Sequence, residues 1–269
     1  MRDDKLMALA RRFWLPEVQA VVLMGSYARG EAGPFSDVDL VRLVRDATPL
    51  PLSGSHSLDG RLVVVSDVTP EQVERWFTEP QEAVKWISGV RTARPLSDPD
   101  KLWAAIQARA YAFTWDEVMQ AKANRWVGRE MVGWIEEVHK GLEGLRRGDI
   151  GRLINARHGF SWGMNEVMTV YTGVLLSSDN GVWAEVAAAI HPEWLALRNR
   201  AFGVNGLDGP VPTLRQQIKA GLQLYALTAR LVAPALQAEE RGMVVEVVGR
   251  IEASNVFFSL HEEGVHGQV

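Results

Sequence analysis

The stretch that decides the fold is residues 18–45, which read VQAVVLMGSYARGEAGPFSDVDLVRLVR. Its opening residues are mostly apolar and rich in β-branched side chains, which predicts a buried strand over Val18–Met24. Gly25 and Ser26 follow, and this pair predicts a turn that leads from the strand into a short helix. A loop of turn-forming residues then leads to a second strand, predicted over Asp37–Val44.

Two aspartates at the start of this second strand share one of its faces. Side chains alternate along a strand, so Asp37 and Asp39 point to one side, and Val38 and Leu40 to the other. Neighbouring carboxylates repel each other unless a cation lies between them. A glycine-bearing turn at a helix N-terminus is a ready anion site. Phosphate groups together with a divalent metal ion would satisfy both features.

Length and composition limit the function further. The 269 residues suffice for one large domain or two ordinary ones, and 47% of them are hydrophobic, so a core can form. The absence of cysteine excludes a disulfide framework and thiol chemistry. The net charge is −4, and neither half of the chain is basic, which argues against a long nucleic acid as partner and favours a small molecule.

Targeting signals are not evident in the sequence. Met1–Arg12 is charged and has no apolar core of the kind found in signal peptides. No apolar run reaches the ~18 residues that a membrane span requires. We therefore expect a cytoplasmic protein that does not contact a membrane.

The rest of the first third continues as strands and helices. Ala47–Asp59 has loop composition, and Arg61–Val68 predicts a third strand. Thr69 is predicted to cap a helix that runs to about residue 78. Glu82–Gly89 is predicted as a helix and Val90–Leu96 as a further short strand.

The remainder of the chain predicts helices only. Asp116–Arg147 is amphipathic, and Ile150–Leu176 is predicted as the next helix. Ser177–Gly181 is predicted as a loop, and Thr213 begins a strong helix that ends near residue 236. The tail, Met243–Leu260, is compatible with either helix or strand.

Strands come first and helices after, which predicts an α+β protein. We expect a small mixed-sheet domain over residues 1–108, followed by an all-α helical bundle domain over residues 109–269.

The sequence contains a spaced motif in which Gly25-Ser26 is followed by ten residues and then by Asp37-x-Asp39. This motif resembles that of the DNA polymerase β-like nucleotidyltransferase superfamily. The helical half resembles the carboxy-terminal domain of kanamycin nucleotidyltransferase and related antibiotic-modifying enzymes. The resemblance implies a mixed sheet, an NTP substrate, two Mg²⁺ ions, and transfer of a nucleoside monophosphate to a hydroxyl group.

The resemblance also implies roles for individual residues. Gly25 has no side chain that would block the approach of a phosphate, and the hydroxyl of Ser26 would donate to the β- or γ-phosphate. Arg29 and Ser36 complete the predicted nucleotide-binding set. For Arg29, a solvent-facing position on the helix is an equal alternative.

The predicted metal ligands are Asp37 and Asp39, with phosphate oxygens and waters completing the coordination. Members of the superfamily usually carry a third acid on the next strand. Here Arg61–Ser66 has no acid in its middle, and Asp67 at the end of that strand is the only nearby substitute. The alternative for Asp67 is a structural role at the strand end.

Kanamycin nucleotidyltransferase takes its general base from a glutamate of the helical domain. The similar stretch here contains Glu136 and Glu137, which are the candidates for this role; exposure to solvent is the alternative.

These observations predict a Mg²⁺-dependent adenylyltransferase that transfers AMP from ATP to a small molecule, such as an aminoglycoside or a lincosamide-like antibiotic. The alternatives are a nucleotide-binding sensor or inactive relative, and an antitoxin-like enzyme that modifies a protein. The resemblance also suggests a homodimer.

Overall fold

The structure is a computed structural model that describes residues 3–206 and 208–254. The strands are β1 Val18–Met24, β2 Val38–Val44, β3 Gly54–Leu58, β4 Arg61–Val68 and β5 Arg94–Ser97. The helices are α1 Asp3–Phe13, α2 Gly25–Arg29, α3 Pro70–Thr78, α4 Pro80–Thr92, α5 Leu102–Ala112, α6 Glu117–Gly133, α7 Ile135–Arg147, α8 Ile150–Thr172, α9 Val182–Ala189, α10 Pro192–Phe202, α11 Leu214–Leu231 and α12 Ala238–Ala253, with a 3₁₀ turn at Ala233–Ala235. The predicted α+β class is confirmed.

The chain forms two compact units. The sheet unit comprises Met1–Met119 together with Leu175–Val182, and the helical unit comprises Gln120–Val174 and the residues from Trp183 onward. The division predicted at residue 108 lies within α5, so the sheet unit extends further along the chain than the sequence suggests.

The five strands form one mixed sheet in the order β3-β4-β2-β1-β5. β2 and β4 run parallel, and the other neighbours are antiparallel. Met24 at the end of β1 pairs with Asp39 near the start of β2, and Asp39 pairs with Val64 of β4. The register therefore brings the glycine turn after β1 next to the two aspartates.

Both faces of the sheet are covered, which explains why β1 is an almost continuous apolar run. Val21 and Leu23 lie on the face that packs against α1, where Phe13 is fully buried. Ala20 and Val22 lie on the opposite face, where the core side chains come mainly from α3, α4 and α5.

One strand lies where the sequence predicts a loop. β3, Gly54–Leu58, has the polar sequence GSHSL and forms the edge of the sheet by pairing with β4. Asp59 and Gly60, both with positive φ, connect the two strands as a two-residue hairpin turn. Because β3 buries little apolar surface, it lacks the alternation that identifies strands in a sequence.

Several predicted bounds differ from the structure. α4 is longer than predicted and ends at Thr92, so β5 begins at Arg94 rather than at residue 90. The helix predicted over Asp116–Arg147 is interrupted at Trp134. The indole of Trp134 contacts α8 where glycines leave room for it, so its packing coincides with the break.

The helical unit is built around α11, which buries residues on most of its circumference. Its strongest contacts are with α10 and α8, and it also contacts α7 and α12. Part of the ambiguous tail, up to Ala253, is helical in α12, and the predicted tail from residue 255 onward lies outside the described residues.

The segment Leu175–Val182 follows α8 in sequence but packs within the sheet unit. The amide of Leu176 donates to the carbonyl oxygen of Val84 at 2.8 Å, and Leu175 packs against the core on the α4 side of the sheet. The predicted loop at Ser177–Gly181 is therefore held by a neighbour about ninety residues earlier in the chain.

Candidate active site

The turn after β1 depends on Gly25. Its φ of +64° lies in the left-handed region, which favours glycine. A Cβ at this position would overlap a carboxylate oxygen of Asp39. Glycine therefore serves two purposes here, because it permits the turn and leaves room for the aspartate beside it. The following helix, α2, is only five residues long, so its dipole contributes little.

Asp37 and Asp39 line the same cavity. Burial raises the pKa of Asp39 above its usual value, and the charge of Asp37 raises it further. Arg29 lowers the pKa of Asp39, and Asp179 adds another raising contribution. The aspartates thus form a partly desolvated anionic pair that a cation would stabilise.

The cavity has a volume of about 810 Å³, and the residues that line it all belong to the sheet unit. It is bounded by the turn after β1, the loop before β2, the middle of β4, one face of α4 and the segment Ser177–Asn180. β4 contributes Val64 and Ser66, so no acid from this strand reaches the cavity.

The predicted nucleotide-binding residues all line this cavity: Gly25, Ser26, Arg29 and Ser36. Arg29 donates to Glu31 at 2.7 Å and to the backbone carbonyl of Ser177 at 3.4 Å. The Arg29 side chain is only 17% exposed, so it does not occupy the solvent-facing position that was the alternative from the sequence. The Ser36 hydroxyl accepts a hydrogen bond from the amide of Gly33 at 2.9 Å and closes the turn before the aspartates.

Several residues at the cavity were not singled out from the sequence. α4 contributes Lys85 and Trp86, and the ring of Trp86 stacks on Trp76 with centroids 4.7 Å apart. Phe35 also lines the cavity and is completely exposed. The proline and serine beside Phe35 suggest only a turn, so its position at the rim of a cavity is not evident from the sequence.

Asp179 is the fourth residue missed by sequence reasoning. It lies in the segment that returns to the sheet unit, lines the cavity and is near enough to Asp39 to influence its pKa. Its sequence surroundings, Ser-Ser-Asp-Asn-Gly, are typical of a loop, and contacts of the neighbouring Leu176 and Ser177 with α4 and Arg29 hold this loop at the site.

The structure does not bring Asp67 to the cavity. Its carboxylate accepts two hydrogen bonds from Arg42, at 2.6 and 2.9 Å, and one from the hydroxyl of Ser53. Arg42 is fully buried and needs a counter-charge, which Asp67 supplies. We therefore leave Asp67 out of the proposed metal site.

Glu136 and Glu137 belong to α7 of the helical unit. Both form ion pairs with Lys140, at 2.9 and 2.7 Å. Glu136 is exposed, whereas Glu137 is 16% exposed, packs against Gly159 and has one carboxylate oxygen that is buried without a hydrogen-bond partner. Their assignment as general base stays a prediction.

A Mg²⁺ ion fits the donors at the cavity. Asp37 and Asp39 offer carboxylate oxygens, which are the hard oxygen ligands that this ion prefers. Among the described residues, no three His, Cys, Asp or Glu side chains are grouped closely enough to hold a metal ion. The protein would thus supply two acids, and the nucleotide and water the other ligands.

Comparison with known proteins agrees with this geometry. Residues 5–91 match the family model described as a nucleotidyltransferase domain. A solved structure of a nucleotidyltransferase-like protein from Exiguobacterium sibiricum 255-15 is similar, with a TM-score of 0.50 and 14% sequence identity, over 91% of this chain and 80% of that chain. At this identity the likeness shows a shared fold alone. No curated protein matches the sequence.

No helix within residues 3–206 and 208–254 is long and apolar enough to span a membrane.

Proposed function

We propose that this chain, whose residues 5–91 match the family model of a nucleotidyltransferase domain, transfers AMP from ATP to a hydroxyl group of a small molecule. In this reaction the acceptor oxygen forms a bond to the α-phosphorus, the bond to pyrophosphate breaks, and the hydroxyl proton passes to a base.

The observation that carries the proposal is the close approach of Gly25 and Asp39. A phosphate-binding turn and a metal-binding carboxylate must be adjacent if a metal-bound triphosphate is to lie between them. Here the approach is so close that no side chain fits at Gly25. A solvated surface aspartate would impose no such restriction on a glycine in the neighbouring turn.

The residues at the cavity have distinct roles in this proposal. Ser26 donates its hydroxyl to a phosphate oxygen, and the cationic side chains of Arg29 and Lys85 attract the triphosphate. Asp37 and Asp39 hold Mg²⁺, which would supply charge neutralisation for the phosphates and activation of the acceptor hydroxyl.

Asp179 is the described acid that best replaces the one missing from β4. It lines the same cavity, whereas Asp67 is paired with Arg42. We assign Asp179 to the outer part of the site, where it would bind a metal-bound water or a hydroxyl or amino group of the acceptor. The base that receives the hydroxyl proton stays a prediction, with Glu136 and Glu137 as its candidates.

An acceptor with several hydroxyl and amino groups, such as an aminoglycoside or a lincosamide-like antibiotic, suits a cavity with three carboxylates and two cationic side chains. Glu136, Glu137 and Glu143 of the helical unit add no support, because they already form ion pairs with basic neighbours.

The second candidate is a nucleotide-binding sensor or inactive relative. The absence of an acid on the cavity side of β4 favours it, since Val64 and Ser66 occupy that position. A third candidate, transfer to a protein acceptor, uses the same cavity and differs only in the partner.

An assay for pyrophosphate release separates these functions. The chain is incubated with Mg²⁺ and ATP over a panel of aminoglycosides, lincosamides and candidate protein acceptors, and ATP binding is measured in parallel by calorimetry. Release that depends on a small acceptor supports the proposal. Tight ATP binding without release over the whole panel supports the sensor, and no binding of any nucleotide contradicts both.

A further inference from the structure

A second cavity, of about 660 Å³, lies entirely within the helical unit. It is formed by α7, by the beginning of α11 and by the end of α12. Its basic side chains come from all three helices: Arg146 from α7, Arg215 and Lys219 from α11, and Arg250 from α12. Like charges from separate elements repel each other, so their convergence on one cavity needs an explanation.

One acid lines this cavity, and its charge is already neutralised. Glu143 accepts two hydrogen bonds from Arg146, at 2.6 and 2.8 Å, and forms a further ion pair with Arg147. These arginines lower the pKa of Glu143 to about 2, so it stays ionised and paired at any physiological pH. Four basic side chains thus line the cavity together with a single acid that is already paired.

Arg215 is the most informative of these residues. It lies in the first turn of α11, where the helix dipole disfavours a cation. It is exposed and forms no hydrogen bond or ion pair with any residue in the described part of the chain. The capping box of Thr213 and Gln216 already stabilises this helix end, so Arg215 adds nothing to the cap. A residue that opposes the local field and contacts no partner is better explained by a ligand than by folding.

The cavity also has an apolar part. Leu142 and Leu145 of α7 line it beside the basic side chains. Arg250 is held by Glu246 at 2.7 Å, but both side chains are more than half exposed, and such a surface pair is weak enough for Arg250 to turn towards a stronger anion.

We propose that this cavity binds a small organic molecule that carries two or more phosphate groups, with Arg215, Lys219 and Arg250 contacting the phosphates and the leucines contacting the organic part. This site is separate from the proposed nucleotidyl-transfer site, and the one acid that lines it within the described residues is already paired and does not hold a metal ion. Its binding is therefore independent of Mg²⁺.

The test is calorimetric titration of the full chain with inorganic tripolyphosphate in EDTA, which removes the metal ions on which nucleotide binding at Asp37 and Asp39 depends. The variant is Arg215→Glu. The control is Arg125→Glu, which makes the same change of charge at an exposed arginine of α6 that does not line the cavity.

We expect saturable binding that weakens as salt is added, a loss of affinity of at least tenfold in Arg215→Glu, and a change of less than about twofold in Arg125→Glu because of screening. Arg215→Glu should also melt at the same or a higher temperature, since an acid is favoured in the first turn of a helix and four residues before Lys219. Higher stability with lost binding cannot come from misfolding.

Three results would overturn the proposal. One is no saturable binding at millimolar tripolyphosphate, and another is an equal effect of the two variants. The third is that a short single-stranded RNA binds as tightly as tripolyphosphate and loses as much affinity in Arg215→Glu. This would indicate an open nucleic-acid surface rather than a cavity for a small molecule.

Discussion

Replacement of Gly25 by alanine tests the packing of the site most sharply, because Gly30 provides a matched control. Both glycines have positive φ, +64° and +76°. Alanine in the left-handed region costs about 1–2 kcal/mol at either position. A Cβ at Gly30 would meet no atom within 4 Å, whereas a Cβ at Gly25 would overlap the Asp39 carboxylate. Moving Asp39 off its rotamer costs a further ~0.5–1.5 kcal/mol.

We therefore expect Gly25→Ala to lower the free energy of unfolding by about 1.5–3.5 kcal/mol, and Gly30→Ala by about 1–2 kcal/mol. Urea denaturation measures both values. The excess at Gly25 should disappear when Asp39 is also replaced by alanine, because the carboxylate is then absent, and a double-mutant cycle measures this coupling. Gly25→Ala should also lose pyrophosphate release, while Gly30→Ala keeps it.

Two results would refute this reasoning. If Gly25→Ala and Gly30→Ala had equal stability and equal activity, the close approach of Gly25 and Asp39 would have no functional meaning. If the cycle were additive, the two residues would not be in contact in the folded protein.

Three further predictions concern other residues at or near the sheet. Because burial and Asp37 raise the pKa of Asp39, ionisation of this carboxyl opposes folding, and the stability that is present below its usual pKa is lost as pH rises through the raised pKa. The variant Asp39→Asn should abolish nucleotidyl transfer. Its melting temperature should equal or exceed that of the wild type at pH 7 and should match it near pH 3. Asp67→Ala leaves the buried Arg42 without a counter-charge and should lower the free energy of unfolding by about 3–5 kcal/mol in urea, while the specific activity of the folded protein is retained. The variant Phe35→Ser should leave the melting temperature unchanged, because the Phe35 side chain is fully exposed. It should raise KM for ATP or for the acceptor in steady-state kinetics, because Phe35 lines the cavity. Unchanged KM values would exclude Phe35 from substrate binding.

The elements around the motif could be predicted from the sequence because each has a local signal. β1 is an apolar run, and α3 begins at the predicted cap, where the Thr69 side chain accepts from the amide of Gln72. β1 and β2 pair in antiparallel register, and this pairing places Gly25 beside Asp39. The match of residues 5–91 to the model of a nucleotidyltransferase domain was thus predictable from fewer than thirty residues.

The features that were missed depend on contacts between distant parts of the chain. β3 is polar, and it adopts an extended conformation because its backbone pairs with β4. Asp179 lies at the cavity because its segment is held by distant residues, through the bonds of Leu176 to the backbone of α4 and of Ser177 to Arg29. Asp67 resembled a metal ligand in the sequence, since its pairing with the buried Arg42 cannot be deduced from the spacing of residues.

The most direct test of the central claim is a crystal structure of the chain with Mg²⁺ and a non-hydrolysable ATP analogue. Our account predicts a metal ion bound by Asp37 and Asp39, with the triphosphate against the Gly25-Ser26 turn. A nucleotide bound elsewhere, or a triphosphate at this turn with both aspartates directed away from the metal, would contradict it.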